Sequence, residues 1–208
     1  MCGLAGLIHR GKNADIGSEM MQMLQSLKHR GPDSTGFALY GDGKQDVTIL
    51  RIKFAEQADM HSGFDIHQKV IDRKAEMKRR LQERGVEVVA IEDATEYSCR
   101  VSIKNGGDKK LIDYLEDIDE VEILSVGRNL ELIKDLGDAQ TVGDQYQLSN
   151  FNGTHAIGHT RMATESAVDI RSAHPYWAYP FSDISVVHNG QLTNYWTMRR
   201  AMERIGHR

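Results

Sequence analysis

Four short stretches of this 208-residue chain concentrate side chains that could do chemistry. The first is its start, Met1-Cys2-Gly3-Leu4-Ala5-Gly6. Removal of Met1 would leave Cys2 terminal, with a nucleophilic thiol beside a free α-amine. That amine titrates near ~8, so it can accept a proton at neutral pH. One residue would then hold both nucleophile and base. The ordinary reading of a single cysteine is a small hydrophobe in a buried strand. The other stretches crowd polar residues beside glycine: Arg30-Gly31-Pro32-Asp33-Ser34, the run from Gly158 to Ser166, and Val187-His188-Asn189-Gly190-Gln191. A thiolate attacking an amide creates an oxyanion, which needs preorganised donors. The Asn189 side-chain amide and the Gly190 N–H could supply them. Arg161 offers a planar fork for a carboxylate, and Thr164 a hydroxyl three residues on. Plainer readings stay open: Asn-Gly is a common hairpin turn, and a strand-end arginine is commonly a surface ion pair. His155, His159, His174 and His188 match no standard zinc spacing, so no metal site is expected.

The bulk composition narrows the function classes. Charged residues make up 27% and hydrophobic residues 40%, and the formal net charge is −4. This gives no general attraction to nucleic acid or anionic membrane. No apolar run approaches the ~20 residues of a membrane span, and the N-terminus lacks the pattern of a signal peptide. Cys2 and Cys99 are the only cysteines, which excludes a disulfide framework and fits a reducing cytoplasm.

Certain elements must position these stretches. Cys2–His9 reads as a buried strand. Ser18 caps a helix carrying Met20, Met23, Leu24 and Leu27, whose methionines are better read as packing than as ligands. Phe37–Tyr40 reads as a strand. Residues 46–127 change in texture, with strands at 47–52, 86–91, 97–103 and 121–126 and helices at 66–84 and 109–115. That β-α-β-β-α-β order is the ferredoxin-like pattern. The first of these helices is basic and residues 108–122 are acidic, so a solvated face balanced by the acidic stretch is expected. Leu130–Leu136 reads as a short helix ending at Gly137. His155–Thr160 and Ile184–Val187 read as buried strands. Asn194 or Thr193 caps a last helix with Tyr195, Met198, Met202 and Ile205 on one face and Gly206 at its end.

Taken together, Met-Cys-Gly-Leu-Ala-Gly, His-Arg-Gly-Pro-Asp-Ser-Thr-Gly, Gly-His-Thr-Arg-Met-Ala-Thr and His-Asn-Gly, in this order, resemble the class II glutamine amidotransferases. The match covers roughly residues 2–40 and 150–208. Longer strings, such as Thr164–Val168, His174-Pro175-Tyr176 and Val186–Trp196, look most like the amidotransferase subunits of glutamate synthase and N-methylglutamate synthase. The resemblance implies an α+β fold, a four-layer αββα N-terminal-nucleophile hydrolase sandwich. It is expected to be discontinuous (2–45 and 128–208), C-terminally incomplete, and interrupted by the ferredoxin-like insertion at 46–127. By the same resemblance Cys2 attacks the side-chain amide of L-glutamine and Asn189 with Gly190 holds the oxyanion. Arg161 and Thr164 bind the α-carboxylate, and Arg30 orders the terminus. Ammonia would pass to a synthase subunit. No cofactor is expected in this chain, while such a partner would carry FMN and iron–sulfur clusters. One departure stands out: the family's acidic residue for the substrate α-amine, a little beyond the last helix, has no counterpart before Arg208. A non-catalytic regulatory or assembly subunit is therefore the second reading, and a hydrolase of another amide the third.

Overall fold

Two antiparallel sheets, each with its own helices, organise the chain. The computed structural model describes residues 2–61, 63–162, 170–190 and 192–206. In chain order the elements are β1 (Gly3–Ile8), α1 (Ile16–Ser26), β2 (Ser34–Gly41), β3 (Val47–Lys53), α2 (Phe64–Glu83), β4 (Glu87–Thr95) and β5 (Ser98–Lys104). Then follow α3 (Lys109–Glu116), β6 (Glu122–Gly127), β7 (Leu130–Leu136), α4 (Ala139–Gln145) and β8 (Gly153–Arg161). Two short strands, β9 (Tyr176–Trp177) and β10 (Ser185–Val186), precede α5 (Tyr195–Arg204). The fold is α+β.

The first sheet has the order β1-β8-β2-β7, with every pair antiparallel. Successive side chains of a strand point to opposite faces. Ala5, Phe37, Leu39, Ile133 and Ala156 form one face and pack against Ile16, Met20, Met21 and Leu24 of α1 and Ala139 and Val142 of α4. The start of α1 is fixed by Asp15, whose carboxylate accepts the Ser18 N–H at 3.2 Å. Ser18 therefore lies inside the helix and does not cap it. Met20 and Leu24 of the expected stripe are fully buried and Leu27 packs beside them, but Met23 is exposed and Met21 is buried in addition. Gly143 of α4 lies against the Met21 side chain, so α4 covers a flank of α1 that the sheet alone would leave open.

The second sheet has the order β4-β5-β3-β6, again antiparallel throughout. Val70, Met77 and Leu81 of α2 and Leu111, Ile112 and Leu115 of α3 cover it, against Leu50, Ile52, Val101, Ile103 and Ile123. Asp108 caps α3 by accepting the Leu111 N–H at 2.9 Å. The basic face of α2 is balanced mostly within its own helix and by β4. Glu76 bonds Arg79 and Arg80, Glu83 bonds Arg79, and Asp93 bonds Lys74 at 2.7 Å. Arg73 reaches toward the acidic 108–122 stretch, 3.9 Å from Asp119. Helical i,i+3 and i,i+4 spacing makes the nearer carboxylates the easier partners.

Buried polar contacts join the two sheets. Glu131 of β7 receives Arg51 Nη2 at 2.6 Å and Arg100 Nε at 2.9 Å. Asp135 of β7 accepts hydrogen bonds from Tyr97 and Tyr146. Two expectations fail near here. Residues 130–136 form β7, not a helix: the apolar spacing 130, 133 and 136 mimics a helical face. In the strand Leu130 and Leu132 pack on one side and Ile133 on the other, while Glu131, Lys134 and Asp135 find buried partners. Residues 184–187 do not form a buried strand. β10 is two residues long, pairs among the described residues only with β9, and leaves Ile184 and Val186 about half exposed. In α5 no side chain is buried, and Asn194 stands at its N-cap without a side-chain cap bond.

Candidate active site

The register of β8 brings the sequence stretches together. β8 pairs with β1 through Gly3↔Thr160 and with β2 through Ser34↔Arg161. One residue beyond the first pairing lie Cys2 and Arg161, at the same end of the sheet. By strand alternation Cys2, Ser34, His159 and Arg161 share the face opposite α1. The helix-covered face supplies an apolar backing through Ala5, Phe37 and Leu39, and the other presents these four side chains.

Two turns converge on the Cys2 backbone. Its carbonyl accepts Arg30 Nε at 3.2 Å and the Asn189 side-chain NH₂ at 3.1 Å. The Arg30 arm is held by a close approach: a Cβ on Gly31 would stand 2.6 Å from the Arg161 carbonyl carbon. The following Asp33 N–H donates to the Arg161 carbonyl at 3.1 Å. Only glycine lets this turn lie so tightly on the end of β8. Asn189 comes from the segment after β10, and Gly190 beside it has φ +153°. Cys2 is part-buried and a free thiol, and Arg161 is 8% exposed. Thr164 lies outside the described residues. Cys2, Arg30, Asn189, Gly190 and Arg161 thus converge on one end of the first sheet, with two arginines as its fixed cations.

Three of the four histidines that fit no zinc spacing, His159, His174 and His188, lie together as tilted rings behind these groups. His159 is 2% exposed, and neither ring nitrogen makes a hydrogen bond among the described residues. Its ring centroid is 5.1 Å from that of His174, which is 6.4 Å from that of His188. Burial, with Arg161 and His188 nearby, pushes the His159 pKa down to about 4. Burial, then His159, His188, Lys134 and Arg161, does the same to His174, also to about 4. Both rings are therefore neutral at pH 7. The strand period could have found one of them, since His159 precedes Arg161 by two and must share its face. Among the described residues no cluster suited to a metal ion occurs, and no helix is long and apolar enough to cross a membrane.

No family model matches the chain. Individual proteins do. A putative glutamine amidotransferase of Methanothermobacter thermautotrophicus is 39% identical over 213 aligned residues, covering all of this chain and 67% of that protein. The glutamine amidotransferase-like protein GlxB of Rhizobium meliloti is 33% identical, covering 99% of this chain and 64% of that protein. The chloroplastic amidophosphoribosyltransferase 1 of Arabidopsis thaliana matches over 78 residues at 37% identity, covering 37% of this chain and 14% of that protein. The chain thus spans about two thirds of the length of the first two relatives. With full-length similarity to amidotransferases and partial similarity to a class II enzyme, the chain belongs to the class II glutamine amidotransferases.

Proposed function

We propose that this chain is a glutaminase domain or subunit that releases ammonia from L-glutamine through Cys2. The observation that carries this reading is the convergence of Arg30 and Asn189 on the Cys2 carbonyl at the sheet end that also holds Arg161. Cys2 Sγ attacks the side-chain amide carbon, and its α-amine takes the thiol proton. Asn189 and the Gly190 N–H steady the oxyanion, with Asn189 exchanging its bond to the Cys2 carbonyl for one to the developing charge. The proton passes to the leaving nitrogen, the C–N bond breaks, and ammonia departs. Water then cleaves the thioester to glutamate. Arg161, with Thr164, binds the α-carboxylate. A glutamate-synthase-type subunit in the cytoplasm is the proposed ammonia acceptor.

The architecture is read in the same way. The first sheet with α1 and α4 forms half of a four-layer sandwich built from residues 2–45 and 128–208. Residues 46–127 form a ferredoxin-like insertion, supported by their element order and by the strand order β4-β5-β3-β6.

Glutamate release by the wild type and by Cys2→Ala, with and without a candidate synthase subunit, tests the function. Activity lost in Cys2→Ala supports it, and equal release in both settings would sink it. Mass spectrometry of the N-terminus adds a second check, because retained Met1 would lock the α-amine in a peptide bond. One observation favours the regulatory or assembly reading. Trp196, Met198, Met202 and Ile205 of the α5 region are all exposed, as a surface that meets a partner would be. Under that reading the purified complex would form normally and Cys2→Ala would leave its activity unchanged.

A further inference from the structure

The loop that carries Asn189 hangs from the cluster of imidazoles. Gly36 of β2 approaches the His174 backbone so closely that a Cβ there would stand 2.1 Å from the His174 carbonyl oxygen. The sheet therefore fixes His174 from below, with the His159 ring against it. From above, the His188 backbone N–H donates to His174 Nδ1 at 3.2 Å. The next residue, Asn189, donates to the Cys2 carbonyl. One continuous line of contacts runs from the buried sheet through His174 to the proposed oxyanion donor.

Chemistry restricts His174 in this line. An Nδ1 that accepts a bond must be unprotonated, so the ring is neutral with its proton on Nε2. The groups around it agree. His159 and Arg161 face it from β8, Lys134 from β7 and His188 from the loop, and Tyr176 follows it at 4.4 Å between ring centroids. Lys134 is itself 3.5 Å from Glu122 of β6. The fixed cations nearest the ring thus oppose a further positive charge on it.

We propose that His174 is a positioning residue that, seated on His159 and Gly36, holds residues 188–190 so that Asn189 faces Cys2. The catalytic part of this proposal rests on the glutaminase reading, and the structural part does not. Two variants of the full chain test it, His174→Leu and His174→Asn. The asparagine oxygen can stand near the place of Nδ1 and accept the same N–H.

Hydrogen exchange at the His188 amide should rise about tenfold in His174→Leu, as expected for the loss of one bond on a local opening, and should return most of the way in His174→Asn. Glutamine hydrolysis should lose roughly tenfold or more in kcat with KM within about twofold, again with recovery in the asparagine variant. Unchanged exchange in His174→Leu, equal impairment of both variants, or a rise in KM with kcat intact would each overturn the proposal. A wild type that hydrolyses no glutamine would overturn the glutaminase reading instead, and the exchange experiment would still decide whether His174 holds the loop.

Discussion

The side-chain NH₂ of Asn189 donates to the backbone carbonyl of Cys2 at 3.1 Å, joining residues 187 positions apart in the chain. This places a neutral hydrogen-bond donor beside the proposed nucleophile before any substrate arrives. A donor already aimed at this residue has only to exchange one acceptor for another as charge develops.

Asn189→Ala should therefore lower kcat for glutamine hydrolysis by roughly a hundredfold, the usual cost of one oxyanion donor, with a much smaller change in KM. Steady-state kinetics on both proteins measures this. An unaltered kcat would return Asn189-Gly190 to the status of a surface bend.

Acid should weaken the fold through the buried imidazoles. The folded pKa values of His159 and His174 lie near 4, below the ordinary value of 6.5. Between those limits the unfolded chain binds protons that the folded chain does not, so stability falls as pH drops from about 6.5 to about 4. Above that window the contribution is fully present. Urea midpoints across it should decline, and His159→Leu should flatten the slope. A slope as steep in that variant as in the wild type would contradict the assignment.

Glu131 should be costly to neutralise by truncation. Its carboxylate is almost fully buried and bonded by Arg51 and Arg100. Glu131→Ala leaves both guanidiniums without this partner and should cost about 3–5 kcal/mol, the range for breaking a buried pair from one side. Chemical denaturation gives the value. A loss below about 1 kcal/mol would class the cluster with solvent-screened pairs.

Gly36→Ala should disturb the site from behind. Its new methyl would sit 2.1 Å from the His174 carbonyl oxygen, a backbone clash that only movement can relieve. Overpacking of this kind costs about 1–3 kcal/mol. Thermal melts should show the loss, and glutamine turnover should fall with it because His174 is displaced. A fully active, equally stable variant would show that the segment shifts freely.

Much of this was legible in the sequence because it is local. Alternating and helical apolar spacing placed β1, β2, β8, α2, α3 and the strands of the second sheet to within a few residues. Leu130–Leu136 was misread because spacing by three fits both a helix face and a strand buried on both sides. What decides is the partners of Glu131 and Asp135, and apart from Tyr146 these are distant: Arg51, Arg100 and Tyr97. The same limit governed the site. Cys2, Asn189, Gly190 and Arg161 could be singled out by residue chemistry and Arg30 through the family resemblance, and the register of β8 draws their segments to one end of the sheet. The role of His174 could not be read, since it depends on a glycine in another strand and on a backbone N–H fourteen residues away.

The ends of the 46–127 segment meet in a way that bears on how this chain could be shortened. Tyr40 pairs with Leu130, and the Gly41 N–H donates to the Asn129 carbonyl at 2.9 Å. A short hairpin could close that gap, so connectivity alone would permit excision. Glu131 and Asp135 argue otherwise, because cutting the segment away would strip both carboxylates of donors from Arg51, Arg100 and Tyr97. A minimal version of this domain would have to replace them, with Glu131 and Asp135 changed to apolar residues in the same step.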